Sequence, residues 1–232
     1  MENLKAAFDE VAENYDKQRR SLIPCFDDFY GTITNLATSQ KNDPIILDIG
    51  AGTGLVSDFL FKKFPKASFT LIDISDEMLI LAKHRFKHNS NFKFVAGDYR
   101  IFQYSEKYDI VVSGLSIHHL EDLEKKALYA RIFNILNSTG IFINGDQFLL
   151  RSKNAERNYQ KAWKDKIEES GLTDNEKKAA YNRMLLDKPA TIENNLQWLD
   201  DAGFSDTEIY YKYYNFAVIS GIKNDLALSK KM

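Results

Sequence analysis

Cysteine is nearly absent from this chain: Cys25 stands alone among 232 residues, which excludes an internal disulfide and any multi-cysteine metal centre. Proline occurs four times and glycine eleven. No stretch has the composition of a linker, a repeat or a low-complexity tract, so residues 1–232 are expected to form one domain. No apolar run approaches the length needed to span a bilayer, and the opening Met1-Glu2-Asn3-Leu4-Lys5 carries no signal-like apolar segment. These absences point to no membrane partner and a reduced, cytoplasmic setting. The charge balance is only −2, which argues against a nucleic-acid binder driven by electrostatics and leaves a local basic patch as the route to a tRNA substrate. What the chain does have is 44% hydrophobic residues, with 13% aromatics. That is ample for a sizeable core, in a length that suits one α/β domain with a modest insertion.

The most informative run is Ile45-Ile46-Leu47-Asp48-Ile49-Gly50-Ala51-Gly52-Thr53-Gly54-Leu55. A short β-branched segment runs into three alternating glycines and then into amphipathic sequence. This predicts a buried parallel strand, a tight turn and a helix whose N-terminal N–H groups face a ligand. A dinucleotide turn needs G-x-G-x-x-G. Here Leu55 stands where the third glycine of that pattern belongs.

Five strand-like segments, at residues 45–49, 69–73, 92–96, 108–113 and 141–146, alternate with helical stretches near 56–64, 76–86 and 123–136. Such alternation predicts a doubly wound, mostly parallel α/β sheet of the Rossmann-like kind. A helix over 191–202 with Gly203 as its cap precedes two aromatic segments at 206–213 and 215–222. These make an edge hairpin, so the sheet is expected to have seven strands with an antiparallel last strand. Phe8, Val11, Ala12 and Tyr15 recur at helical spacing, predicting a helix over about 2–19, and Pro24 can open the first turn of another reaching Leu36. Residues 1–38 and the polar helical insert 147–188 have no strand to serve and are expected to form a helical lid. Tyr159 and Trp163, one turn apart, either wall a pocket or pack the lid.

Ligands of open α/β sheets sit at the carboxyl ends of the strands, so the polar residues there are the candidates. Asp73 ends the second strand and can accept hydrogen bonds from ribose hydroxyls, or cap the helix that follows, a role open to Ser75 as well. Ile74 and Met78 suit the faces of a purine and equally suit core packing. In Gly97-Asp98-Tyr99, Asp98 can take an adenine amino group or remain a solvated turn residue.

Taken in order, Asp48/Gly50/Gly52/Gly54, Asp73, Gly97-Asp98 and the strand Tyr108-Asp109-Ile110-Val111-Val112-Ser113 resemble the motifs of class I S-adenosylmethionine (SAM) methyltransferases over roughly residues 40–146. The resemblance implies SAM as cofactor and S-adenosylhomocysteine as product. The turn residues, Ala51 among them, would hold the methionine portion, with Ser113 and Gly114 on the sulfonium side. Tyr15-Asp16-Lys17-Gln18-Arg19-Arg20 is similar to the Y-D-x-x-R motif of small-molecule members, in which an arginine pairs with the methionine carboxylate. Arg19 fits that spacing, Arg20 lies next to it, and a basic helix end complementing the dipole is the alternative. Ser116-Ile117-His118-His119-Leu120 resembles a His-His-Leu segment facing the acceptor, where His118 and His119 would orient it or take its proton, or else cap the next helix. No metal site is expected, since His84 and His88 share a solvated helix face.

A narrower likeness links Ser21-Leu22-Ile23-Pro24-Cys25-Phe26, Ser170-Gly171-Leu172-Thr173 through Arg183, and Tyr213-Tyr214-Asn215-Phe216 to the carboxy-SAM synthases. It implies that Arg183 holds an extra carboxylate, or else that Arg183 is a lid salt-bridge residue. Two departures stand against it: the glycine turn is the ordinary methyltransferase one, and Phe26 replaces a tyrosine. The expected function is therefore methyl transfer from SAM to a small-molecule acceptor. The alternatives are a carboxy-SAM synthase-like enzyme and a non-catalytic SAM-binding module. Tyr210, Tyr211, Tyr213 and Tyr214 on the edge hairpin suit either a homodimer contact or cover for the core.

Overall fold

β-branched and aromatic segments too short for helices build a seven-stranded sheet. The computed structural model describes residues 2–224 apart from 11, 13 and 14. The strands are β1 (Ile45–Ile49), β2 (Ser68–Asp73), β3 (Phe92–Ala96), β4 (Tyr108–Gly114), β5 (Leu136–Gln147), β6 (Ser205–Tyr213) and β7 (Phe216–Ile222), in the order β3-β2-β1-β4-β5-β7-β6. β1 to β5 pair in parallel, while β7 runs antiparallel to both β5 and β6. The last strand therefore slots inside the sheet, and β6 forms its edge. The strand order reverses between β1 and β4, where the register pairs Ile49 with Ile72 on one side and Ser113 on the other. That reversal opens a crevice at the carboxyl ends of the strands.

Residues of β1 alternate between two cores, as the two-residue period of a strand requires. Ile46 joins Phe29, Ile33, Leu60 and Phe69 on one face. Leu47 and Ile49 join Val111, Tyr129, Ile132 and Leu199 on the other. The first face is covered by α3 (Phe26–Leu36), α4 (Leu55–Lys63) and α5 (Asp76–Arg85), and the second by α6 (Asp122–Ile135) and α9 (Ile192–Ala202). Ser75 caps α5 by accepting from Met78 N at 3.1 Å, so Asp73 is not the cap. Gly203 ends α9 at φ 102°, the left-handed conformation a helix stop favours.

Three expectations are revised. The helix over 2–19 is two helices, α1 (Glu2–Asp9) and α2 (Tyr15–Leu22). α1 is held to α5 by Asp9, whose carboxylate takes the Ser75 hydroxyl at 2.5 Å, whereas Asp16 draws α2 to the glycine turn by accepting from Thr53 Oγ1 at 2.6 Å. Val11 lies outside the described residues. Pro24 precedes α3 rather than entering its first turn. β5 starts five residues earlier than expected, with a shift of register between its pairs Tyr108–Leu136 and Ile110–Ile141. The insert forms α7 (Lys153–Glu168) and α8 (Asp174–Met184), the latter opened by a reciprocal Thr173–Glu176 capping box. No helix among the described residues is long and apolar enough to cross a membrane.

Candidate active site

The glycine turn is shaped by its neighbours at two positions and by open space at the third. A Cβ at Gly50 would run into Ser116 Oγ, and one at Gly54 would lie 2.8 Å from the Phe86 ring. A Cβ at Gly52 would meet nothing within 4 Å, although its φ of +54° is in the left-handed region. Gly52 thus fronts a void. Its N–H donates to Asp73 Oδ2 at 2.8 Å, and Ser75 N donates to Oδ1 at 2.8 Å. Burial pushes the Asp73 carboxyl up from its ordinary value, against these backbone bonds.

Around this turn is a cavity of about 440 Å³, lined by Asp73, Ile74, Met78, Tyr99, Leu115, Ser116 and His119 among others. Ile74, Met78 and the Tyr99 ring supply flat apolar surface, and Asp73 supplies carboxylate oxygens. Between α2 and the turn lies a smaller space, of about 310 Å³, lined by Tyr15, Arg19, Asp48, Ala51 and Gly114 among others. Two buried polar atoms here lack partners among the described residues, Asp48 Oδ1 and Arg19 Nε. One is an acceptor and one a cationic donor, so an amino acid's ammonium and carboxylate would satisfy both. Asp48 Oδ2 accepts from Ser57 Oγ at 2.7 Å, and burial, with Asp73 nearby, pushes its pKa up to about 7.

A third cavity, of about 540 Å³, opens beyond Tyr15. The insert walls it with Trp163, Arg183, Met184 and Asp187, and the sheet side contributes Leu115, His118, His119 and Gln147. Phe8, Tyr15, Leu115 and His119 line both this cavity and the 440 Å³ one. Leu115 has φ 57°, an uncommon conformation for a leucine. Its N–H bonds Gly145 O at 2.8 Å, which fixes the bend between β4 and the histidine turn.

His118 and His119 form a single 3-10 turn with Ile117. His118 is held from both sides: its backbone N–H donates to Asp146 Oδ2 at 2.9 Å, its Nδ1 bonds Asp146 Oδ1, and its Nε2 lies 3.4 Å from Asp187 Oδ1. Burial alone would lower its pKa, but the two carboxylates raise it to about 10. His119 sits 3.2 Å from the same Asp187 oxygen, and burial together with the His118 charge pushes its pKa down to about 4. Asp187 is held well below the carboxylate range by the histidines, against its burial. The buried Lys125 donates to Leu120 O at 2.5 Å and Lys188 O at 2.6 Å, tying the histidine turn to the segment that carries Asp187.

Known proteins match this architecture. A methyltransferase-domain family model matches residues 46–140. The carboxy-S-adenosyl-L-methionine synthase of Helicobacter hepaticus is 26% identical over 220 residues, covering 90% of this chain and 91% of that one. The malonyl-[acyl-carrier protein] O-methyltransferase of Bacillus anthracis is 31% identical over 137 residues, covering 59% of this chain and 47% of that protein. The chain thus carries a methyltransferase domain over residues 46–140 and is similar both to SAM-dependent methyltransferases and to a carboxy-SAM synthase. The N-methyltransferase NodS of Bradyrhizobium japonicum, solved with S-adenosyl-L-homocysteine, shares the fold with a TM-score of 0.68 at 16% identity. It covers 95% of this chain and 98% of that one.

Most of the expected residues meet at the crevice, and some do not. The Asp98 carboxylate is occupied by Arg100, whose backbone N–H and Nε both donate to its Oδ1 at 2.9 Å. Arg100 overcomes the effect of burial and holds that carboxyl below its usual range. Gly97 and Asp98 line none of the three cavities described, and Tyr99 alone of that triplet faces the crevice. Ser113 spends its hydroxyl inside the sheet, on Ile49 O at 3.0 Å, and Gly114 is the strand-end residue that reaches the cavity wall. Arg20 faces solvent and pairs with Asp27 at 2.9 Å. Trp163 walls the third cavity while its indole N–H bonds Leu22 O at 2.8 Å. Tyr159 packs against Phe216 and Tyr214 instead. Phe8, Leu115, Ser116, Asp146 and Asp187 escaped the sequence reading. Position just past a strand end is the signal that marks Leu115 and Ser116, and position in the last residues of β5 the one that marks Asp146. Phe8 reads as an ordinary helix-face residue, and nothing local marks Asp187.

Proposed function

We propose that this methyltransferase moves the SAM methyl group to a small acceptor carrying an anionic group, held in the cavity beneath α7 and α8, with the whole chain acting as one domain. The observation that carries this reading is the shared wall: Phe8, Tyr15, Leu115 and His119 bound both the crevice at the glycine turn and the insert-covered cavity. A donor in one and an acceptor in the other would be neighbours. SAM, when bound, supplies a methyl group on a good leaving group, so the protein's task is alignment and exclusion of water. Asp48 and Arg19 are suited to the amino-acid end, Asp73 to the ribose, and Ile74, Met78 and Tyr99 to the purine. His118, locked by Asp146, and His119 would orient the acceptor. Arg183 is buried in the acceptor cavity, with Nη1 unpartnered among the described residues. Burial and the nearby Arg19 charge lower its pKa. Such a group calls for an anion.

The same arginine supports a second reading, a carboxy-SAM synthase-like enzyme acting on SAM and a carboxylic acid. The end-to-end match to the Helicobacter protein favours it, because the methyltransferase relative matches over only about half its length. Mass spectrometry of ligand carried through purification separates the two. The methyltransferase reading predicts SAM or S-adenosylhomocysteine without an added carboxylate, and an Arg183→Ala variant whose SAM affinity is nearly unchanged. Carboxy-SAM on the wild type, lost from Arg183→Ala, would establish the second reading.

A reduced cytoplasmic setting fits the single buried Cys25. The near-neutral charge argues against nucleic acid as a partner. The exposed Tyr210, Tyr213 and Tyr214 at the β6 edge are where a homodimer contact would form.

A further inference from the structure

We propose that His118, His119 and Asp187 bind one divalent transition-metal ion, with zinc the ion their donor set suits best. A ligand atom from each lies within 4.8 Å of the others. The Asp187 oxygen stands 3.4 Å from His118 Nε2 and 3.2 Å from His119 Nδ1. A tetrahedral zinc with bonds of about 2.0–2.1 Å separates its ligands by roughly 3.3–3.4 Å, so both edges match. Three protein ligands with a fourth position open to a cavity is the pattern of a reactive rather than a structural zinc site, and all three residues line the 540 Å³ cavity.

Two further observations point to an ion. His119 is 8% exposed, and its Nδ1, although close to Asp187, makes no hydrogen bond of acceptable geometry. That leaves a buried lone pair directed at the cluster. Behind His118, Asp146 accepts from Nδ1 and from the backbone N–H. A carboxylate on the far nitrogen of a metal-binding histidine fixes the ring and raises the basicity of the ligating nitrogen. Binding would displace the proton between His118 Nε2 and Asp187 into solvent. The sequence did not reveal this cluster, because Asp187 is 68 residues beyond His119 and arrives with the insert. His84 is exposed on α5 and His88 is exposed in the turn after that helix has ended at Arg85, so the two do not share the helix face expected of them.

The test uses tag-free full-length protein, with elemental analysis after zinc loading and dialysis, and zinc titration against a chromophoric chelator. One zinc per chain is expected. His119→Gln and Asp187→Asn should each abolish stoichiometric uptake. Asp146→Asn should weaken zinc binding about 10–100-fold, and the His84→Gln/His88→Gln double variant should retain it. Circular dichroism and SAM calorimetry on the same samples report folding and cofactor binding, so loss of the zinc site is distinguishable from failure of the methyltransferase reading. Absence of stoichiometric zinc on folded wild-type protein would overturn the proposal. So would uptake that persists in folded His119→Gln and Asp187→Asn.

Discussion

Gly50 and Gly54 are required by protein atoms, the Ser116 side chain and the Phe86 ring, whereas the missing Cβ of Gly52 leaves space only a ligand would need. Gly52→Val should therefore retain the fold, at some cost from the left-handed backbone, yet lose SAM binding by steric exclusion. Asp73→Ala should weaken SAM by roughly 1.5–3 kcal/mol, as for a hydrogen bond to a charged group. Calorimetry on both variants checks these outcomes, and undiminished binding to Gly52→Val would remove the turn from the site. Asp48 supplies a pH dependence. Its folded pKa of about 7 exceeds the ordinary 3.8. This carboxyl therefore favours the fold at low pH, and that contribution is lost as pH rises from 3.8 to 7. Asp48→Asn should flatten this slope and raise Tm at pH 8. An ammonium beside Oδ1 would stabilise the anion, so SAM binding near pH 6 should release a proton, visible as a buffer-dependent heat. Binding without proton release would count against Asp48 at the amino-acid end. The sequence marks all of these residues because they lie in or just beyond strand ends. It could not show that Arg100, two residues past Asp98, occupies that carboxylate, since both readings fit the same Gly-Asp-Tyr string.

Among elements, the strands and the helices between them are legible within a few residues, because buried parallel strands need continuous β-branched runs and amphipathic helices keep their period. The N-terminal segment is not. Its helical spacing continues through a break that arises from competing long-range anchors, Asp9 on Ser75 and Asp16 on Thr53. The insert was expected to cover the strand ends, and α7 and α8 do wall the third cavity. Lys125, buried beneath the histidine turn, gives no sequence sign of its role, because a lysine in a helix ordinarily reads as surface. If α1, α2 and the insert close over cofactor, SAM should slow tryptic cleavage at exposed sites such as Lys153, Arg157 and Lys161 of α7 and at sites before residue 30. Equal cleavage rates with and without SAM would contradict closure.

For the whole molecule, the doubly wound sheet follows from the alternation of strand-like and helical segments, and the crevice at the glycine turn is marked by one run of eleven residues. The identity of the acceptor does not, because its cavity is assembled from α1, α2, the histidine turn and the insert, which are distant in the chain. The central claim is that this crevice takes SAM and not a dinucleotide, since Leu55 occupies the third-glycine position and Asp48 and Arg19 offer charges for an amino acid. Isothermal titration calorimetry of the purified, ligand-stripped protein with SAM, S-adenosylhomocysteine and NAD tests it most directly. The account predicts one-to-one binding of SAM or S-adenosylhomocysteine and no measurable heat from NAD, and tighter binding of NAD than of SAM would contradict it.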